Sequence, residues 1–197
     1  DTAQENVGIG VTALDAITTG DRNVAIGYDS LTSLTTGNYY VCVGELTGAY
    51  MSIRSHNTYI GNRAGIYGGE NYNTAIGSNC MRGISNAHAW SENVAVGYQA
   101  MYQPQHNDCK YNIALGNQSM KGITSGDSNS CLGYQSGDGI TTGHQNICIG
   151  YGSGSSGTND LTTGDNNIII GYNAAASAAD VDNEITIGTT SHTKLRT

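Results

Sequence analysis

Two histidines and a cysteine near the middle of the chain are the residues whose types come nearest to a metal site. His88, His106 and Cys109 carry the imidazole and thiol groups that bind zinc in many proteins. Their spacing matches no standard zinc pattern, and the sequence offers no fourth ligand beside them. We therefore predict no metal ion and no other cofactor.

Other kinds of catalytic site are not indicated either. A glycosidase needs two carboxylates about 5 to 10 Å apart across a cleft, whereas the acids here are scattered among turn residues. No set of Ser, His and Asp has a recognisable context. Residues 152–157 match the Gly-x-Gly-x-x-Gly pattern, but no helix-forming stretch follows them to bind a pyrophosphate. The sequence predicts that the protein is not an enzyme.

Composition argues against two classes of partner. The 197 residues include 8 Lys and Arg against 16 Asp and Glu, which gives a net charge of −8. Without a basic cluster the chain has no electrostatic surface for a phosphate backbone, so we predict no nucleic-acid binding. No run of 18 apolar residues is present, so we predict no membrane insertion.

A repeat runs through the whole chain. An aliphatic residue followed by glycine recurs eleven times, most often at a spacing of 17 residues, as in Ile26-Gly27 and Val43-Gly44. A fixed short period is typical of solenoids and repeat arrays. Because the period extends from end to end, we predict a single domain over residues 1–197.

Each repeat predicts one short strand. The aliphatic residue before the glycine and a mostly β-branched residue two positions earlier share one face of that strand. We expect these faces to stack in register and to build one continuous core, in an all-β parallel β-solenoid, or β-roll, of about eleven turns. The residues expected to form the aliphatic ladder are Ile26, Val43, Ile60, Ile76, Val96, Leu115, Leu132, Ile149, Ile170 and Ile187.

Two further columns of the repeat predict how the turns close. An asparagine opens most strands, and stacked amides are expected to form a hydrogen-bonded ladder. Small residues three positions after the glycine are predicted to face inward at a corner, with Leu or Met beside them in the core, before a second extended segment. The asparagines expected in the ladder are Asn23, Asn57, Asn73, Asn93, Asn112, Asn129, Asn146 and Asn167.

Cysteines occupy positions that hold small residues in other repeats. Cys42, Cys131 and Cys148 take the mid-strand position that is usually alanine. We expect buried free thiols that behave as small hydrophobic side chains. Cys131 and Cys148 lie on adjacent turns at a backbone distance that a disulfide could span, although parallel side chains disfavour the bond, and their oxidation state is left open.

Insertions interrupt the period near His88, near Pro104 and after Gly152. In repeat proteins such insertions form loops on one face, which is often the binding face. The first two are predicted to be neighbours, because Trp90 and Cys109 both lie seven residues before their glycines. Candidate ligand-binding residues are therefore His88, Trp90, Tyr102 and His106, whose rings could bind a sugar or a protein. The alternatives are packing within the loops or contact with a neighbouring chain.

The sequence pattern of the repeats resembles that of known fibre proteins. Units such as Asn23-Val24-Ala25-Ile26-Gly27-Tyr28 resemble the head repeats of trimeric autotransporter adhesins, which are left-handed parallel β-rolls assembled as trimers. The form at residues 162–174 more closely resembles tail-fibre and spike proteins of phages and other large DNA viruses. Residues 183–196 are similar to the junction that precedes a self-cleaving intramolecular chaperone domain in such fibres.

This resemblance implies a homotrimeric fibre on the virion surface, outside the cell. We expect a structural and receptor-binding segment of a viral tail fibre or spike, whose partners are its own copies and a host-surface glycan or protein receptor. A bacterial trimeric adhesin head and a subunit of a self-assembling extracellular filament remain as alternatives. The ligand, the host, the handedness of the coil and the number of copies are left open by the sequence.

Overall fold

Eleven short strands form one parallel sheet in the computed structural model, which describes residues 2–51, 53–67, 69–84, 90–102, 104, 109–157 and 159–191. Each strand pairs with the next one along the chain, so each connection makes one turn of a coil of about ten turns. The predicted all-β parallel β-solenoid is therefore confirmed. The strands are β1 (Val7–Ile9), β2 (Val24–Ile26), β3 (Val41–Val43), β4 (Thr58–Ile60), β5 (Thr74–Ile76), β6 (Val94–Val96), β7 (Ile113–Leu115), β8 (Ser130–Leu132), β9 (Ile147–Ile149), β10 (Ile168–Ile170) and β11 (Ile185–Ile187).

Equivalent residues of successive repeats lie side by side in the sheet. Ile26 is the register partner of Val43, and Val43 is the register partner of Ile60. The same register continues to Ile170 and Ile187 at the other end. The aliphatic column thus stacks along the coil as predicted, and insertions between strands do not shift it.

Glycine follows every strand because two constraints coincide there. Gly44 has a φ of 138°, a backbone conformation that L residues with a side chain rarely adopt. A Cβ on Gly44 would also lie 2.6 Å from the carbonyl oxygen of Gly61 on the next turn. Neither the backbone conformation nor the space between turns admits a side chain, which explains why this glycine marks the period.

The segment after each strand is not a second strand in the part of the chain that the structure describes. Asp29 and Leu31 instead have left-handed φ values of 52° and 51°. The Leu31 N–H still donates to the carbonyl of Thr47 on the next turn, at 3.0 Å. A left-handed L residue costs roughly 1–2 kcal/mol, which the complete burial of Leu31 offsets. The prediction of a second extended segment is corrected accordingly.

The core lies between the strands and these left-handed segments. Small corner residues face inward as predicted: Ser30 and Ser153 are fully buried, and their hydroxyls donate to the carbonyls of Cys42 and Ile169, at 3.3 and 2.7 Å. The middle residue of each strand from β2 to β10 is also buried. These middle residues are Ala25, Cys42, Tyr59, Ala75, Ala95, Ala114, Cys131, Cys148 and Ile169.

Core space is divided between the middle strand residue and the residue six positions later. Where the middle residue is alanine, the later residue is large: Ala25, Ala75, Ala95 and Ala114 precede Leu31, Met81, Met101 and Met120. Where the middle residue is Cys or Tyr, the later residue is glycine, namely Gly48, Gly65, Gly137 or Gly154. In these turns the larger residue of each pair faces the smaller one, so the two positions share core space.

Buried asparagines form a hydrogen-bonded ladder along one corner. The Oδ1 of Asn112 accepts from the backbone N–H of Asn129, at 2.9 Å, and from its Nδ2, at 3.1 Å. The same Nδ2 donates to the carbonyl of Gly143, at 2.8 Å. Tyr40 replaces asparagine in one turn, and its hydroxyl accepts from the Nδ2 of Asn57, at 3.1 Å. An amide oxygen of the turn before thus accepts from the backbone N–H of Asn23, Tyr40, Asn73, Asn93, Asn112, Asn129, Asn146 and Asn167.

Candidate functional site

The aliphatic columns of the sheet face away from the core. Strand residues alternate between the two faces, so the buried middle residue directs both of its neighbours outward. The prediction that the aliphatic ladder builds the core of the chain is therefore wrong about the face, although the ladder itself stacks. Its members Ile60, Ile76, Val96, Leu132, Ile149 and Ile187 are exposed, and Ile26, Val43, Leu115 and Ile170 are half-buried.

This outer face is continuous and mostly aliphatic. A second column, which runs from Val7 to Ile185 at the first strand position, lies beside the ladder, and Thr58, Thr74 and Ser130 are its only polar members. With about 4.8 Å between strands, the face is roughly 50 Å long. At a width of about 12 Å it covers on the order of 600 Å², which is at the upper end of the apolar patches that monomeric proteins expose and in the range that often marks an interaction surface.

Two rows of side chains border the outer face. The leading row consists of the residue two positions before each strand, and the trailing row of the residue two positions after it. The leading row is Glu5, Arg22, Tyr39, His56, Tyr72, Glu92, Tyr111, Ser128, Gln145, Asn166 and Asn183. The trailing row is Val11, Tyr28, Glu45, Asn62, Ser78, Tyr98, Asn117, Tyr134, Tyr151, Tyr172 and Thr189.

Rings and one cation stack in the leading row. The guanidinium of Arg22 lies 5.5 Å from the ring centroid of Tyr39, whose hydroxyl accepts from Nη1 at 2.6 Å. The rings of Tyr39 and His56 are 4.7 Å apart, and those of His56 and Tyr72 are 5.1 Å apart. Arg22 also forms an ion pair with Glu5 at 2.7 Å, and this hydrogen bond raises the pKa of Arg22.

The trailing row contains a second stack at the other end of the coil. The ring centroids of Tyr134 and Tyr151 are 5.0 Å apart, and those of Tyr151 and Tyr172 are 5.2 Å apart. These side chains remain 42%, 47% and 66% exposed. Because each ring covers its neighbour's face, the stack presents its edges and hydroxyl groups outward. Packing partners that accept hydrogen bonds suit such a surface better than a sugar that needs a free ring face.

The predicted ligand-binding residues do not form an exposed group in the described part of the chain. Trp90 is fully buried, so its ring offers no face to a ligand, and that prediction is corrected. The ring fills space beside Gly69, where an added Cβ would lie 2.6 Å from the Trp90 Cε3. Tyr102 is half-buried, and its hydroxyl accepts from the Nη1 of Arg82, at 2.5 Å. His88 and His106 lie outside the described residues.

The backbone beside these insertions does support one prediction. Ser91 and Lys110, which directly follow Trp90 and Cys109, form an isolated parallel bridge. The flanks of the first two insertions are therefore neighbours, as their distances from the repeat glycines predicted.

Groups that could bind a metal or act as nucleophiles are buried or scattered. All five cysteines are buried and free, and burial raises the pKa of Cys80 and of Cys109 to about 12. Cys131 and Cys148 are register partners on adjacent strands. Among the described residues, no group of three or more His, Cys, Asp and Glu side chains could hold a metal ion.

The Gly-x-Gly-x-x-Gly segment is part of the coil. Ser153 is one of the buried corner residues, and the carbonyl of Gly154 accepts from the N–H of Leu161, at 2.9 Å. A Cβ on Gly154 would lie 2.8 Å from the Sγ of Cys148. The glycine is therefore explained by core packing.

Within the ranges that the structure describes, no helix is long and apolar enough to cross a membrane. In comparisons with known proteins, no family model, no curated protein and no solved structure matches the chain.

Proposed function

We propose that the chain is a structural segment of a homotrimeric viral tail fibre or spike, and that this fibre attaches the virion to a host-surface glycan or receptor. The observation that carries the proposal is the aliphatic outer face, which runs from β1 to β11 and which no other segment covers in the described part of the chain. Burying apolar surface is the main driving force for stable association. A face of this length and composition suits contact with other copies of the same chain.

The size of the surface supports a stable assembly. The aliphatic face and its two bordering rows together are about 25 Å wide and roughly 50 Å long. They could bury on the order of 1,200 Å² per copy, and a standard interface buries about 800 Å² per partner. Three copies around a common axis would turn every face inward. The number three and the attachment role are inferred from the resemblance of the repeats to fibre proteins.

The fold provides the stiffness that a fibre segment needs. Hydrogen bonds join every turn to the next in the sheet, in the asparagine ladder and in the left-handed segments. Bending the coil would stretch several of these bonds at once, in a core that contains closely packed side chains. The glycine column holds neighbouring turns at close contact. Such a coil resists bending and keeps its two ends at a fixed distance, as the shaft of a fibre must.

Paired lysine substitutions test whether the outer face is the interface. Ile76 lies at the centre of the face with 37% exposure, and Ile53 lies in the turn region between β3 and β4 with 61% exposure. In an assembly, Ile76→Lys would place several ammonium groups without counter-charges in an apolar interface, which is strongly unfavourable. We expect light scattering to report a monomer for Ile76→Lys and the wild-type mass for Ile53→Lys, with unchanged circular dichroism. Wild-type assembly by Ile76→Lys would overturn the proposal.

A further inference from the structure

The leading and trailing rows are complementary at each level of the coil. In every repeat from β2 to β10, one row contributes an aromatic ring and the other contributes a non-aromatic side chain that can form hydrogen bonds. At β3 these are Tyr39 and Glu45, and at β8 they are Ser128 and Tyr134. The leading row carries the ring at β3, β4, β5 and β7, and the trailing row carries it at the other levels.

This alternation of rings between the two rows does not contribute to packing within one chain. The two rows lie on opposite borders of the outer face, because a three-residue strand separates the residue two positions before it from the residue two positions after it. Within the chain, the rings of these rows contact rings of the same row on the next turn, as Tyr151 contacts Tyr172. A contact between the two rows requires the leading border of one copy to meet the trailing border of another.

We propose that the leading row of one copy packs against the trailing row of the next copy at the same level, and that this match sets the register of a parallel assembly. The inference rests on the proposed function, in which the outer face joins copies of the chain. At each level one ring fills the seam, and its hydroxyl or imidazole group meets a polar side chain, as a ring with a polar group requires when it is buried. Packing density at such a seam approaches that of a protein interior.

Other arrangements lose the match. A shift of one level would bring Tyr72 against Tyr98, or, in the opposite direction, Tyr39 against Tyr28. An antiparallel arrangement centred on β6 would bring Glu92 of one copy against Glu92 of the other, where like charges repel. Only the parallel arrangement without a shift places one ring at every level from β2 to β10. The rows therefore act against wrong registers as well as in favour of the correct one.

Exchanging the two residues of one level tests this pairing. At β8, Ser128→Tyr would place two rings at one level, and Tyr134→Ser would leave none. Both backbone positions accept these residues, because Tyr111 occupies the leading row with a φ of 57°, close to the 59° of Ser128, and Ser78 occupies the trailing row. We expect each single substitution to raise the dissociation constant of the assembly roughly tenfold. The double variant Ser128→Tyr with Tyr134→Ser should return to within about threefold of the wild-type value.

Sedimentation over a dilution series distinguishes the outcomes. Rescue by the double variant supports the seam between the rows. If the two single effects on the dissociation constant simply add in the double variant, the seam between the rows is overturned. In that case a wild-type protein that still assembles leaves the proposed function standing. A wild-type protein that stays monomeric at all concentrations overturns both.

Cysteine pairs provide a geometric test of the same seam. Ser128→Cys with Tyr134→Cys places thiols at one level, and Ser128→Cys with Tyr172→Cys places them two levels apart, roughly 10 Å along the axis. The native cysteines are buried and should not react in the folded protein. Under mild oxidation we expect the first pair to form covalent multimers on a denaturing gel and the second to remain single chains. Equal linking of both pairs, or linking of the second pair alone, would overturn the same-level contact.

Discussion

The ring of Tyr59 occupies the space that a side chain at Gly65 would fill. A Cβ on Gly65 would lie 2.6 Å from the Cδ2 and Cε2 atoms of that ring, and Gly65 has a left-handed φ of 56°. The same relationship joins Cys131 and Gly137, where an added Cβ would lie 2.5 Å from the Sγ. Residues six positions apart thus share one region of the core in these turns.

Exchanging the large and small residues at positions 131 and 137 should show that these two positions are energetically coupled. Gly137→Met alone would overpack the turn, and we expect a loss of about 3 kcal/mol in the free energy of unfolding. Combined with Cys131→Ala, which gives β8 the pattern of Ala114 and Met120, the loss should fall to about 1–2 kcal/mol, the cost of a left-handed methionine. Urea unfolding of both single variants and the double variant measures the coupling.

These unfolding measurements need a protein that does not assemble, since assembly adds to apparent stability. The measurement is therefore made in Ile76→Lys, which is expected to be monomeric. Additive effects of Gly137→Met and Cys131→Ala would show that the two positions do not share one volume.

Removing one amide from the asparagine ladder should be far more harmful than removing an exposed amide. Asn112→Ala would leave the backbone N–H of Asn129 and the carbonyl of Gly126 without their partners in the core. We expect a loss of about 2–4 kcal/mol in the free energy of unfolding, because unpaired buried polar groups are costly. When both variants are measured in the Ile76→Lys protein, which is expected to be monomeric, Asn62→Ala, at an exposed position of the trailing row, should change it by less than about 0.5 kcal/mol. Similar midpoints in urea would contradict a ladder that supports the coil.

The thiols should be unreactive until the protein unfolds. Burial raises the pKa of Cys80 and of Cys109 to about 12, so these groups stay protonated in the folded state well above the pH at which a free thiol ionises. A thiol reagent at pH 9 should therefore label no cysteine in the native protein and all five after denaturation. Labelling of the native protein by mass spectrometry at Cys109 would indicate that its turn opens locally.

The sequence determined the number, order and register of the strands because each strand is bounded by residues with strict requirements. Gly44 can carry no side chain, and Asn112 must pair with the turns on either side. These requirements recur at the same place in each repeat. A single chain therefore contains the same information eleven times, and irregular insertions do not obscure it.

The face of the sheet that is buried could not be predicted from alternation alone. Alternation shows that Val24 and Ile26 share a face but does not say whether that face is inside. The signal that could have shown it is side-chain size at two positions of the repeat. The middle strand residue is small where the residue six positions later is large, as in Ala25 and Leu31, and that later residue is glycine where the middle residue is Cys or Tyr, as in Cys131 and Gly137.

The leading row was missed because its residue types vary from turn to turn, and its left-handed backbone has no single sequence signature. Tyr39 and Glu92 occupy equivalent positions although they have little chemistry in common. Only the comparison of this column with the trailing row, six residues further along, reveals a pattern. Trp90 was misassigned for a related reason: an aromatic ring next to an insertion resembles a binding residue until its burial is known.

The mass of the wild-type protein in solution tests the central claim most directly, namely that the aliphatic outer face is an interface between copies. Light scattering coupled to size exclusion, at micromolar concentration and moderate salt, should give three times the 20.5 kDa of one chain. A soluble, stable species of one chain mass under these conditions would show that the face needs no partner and would contradict the account.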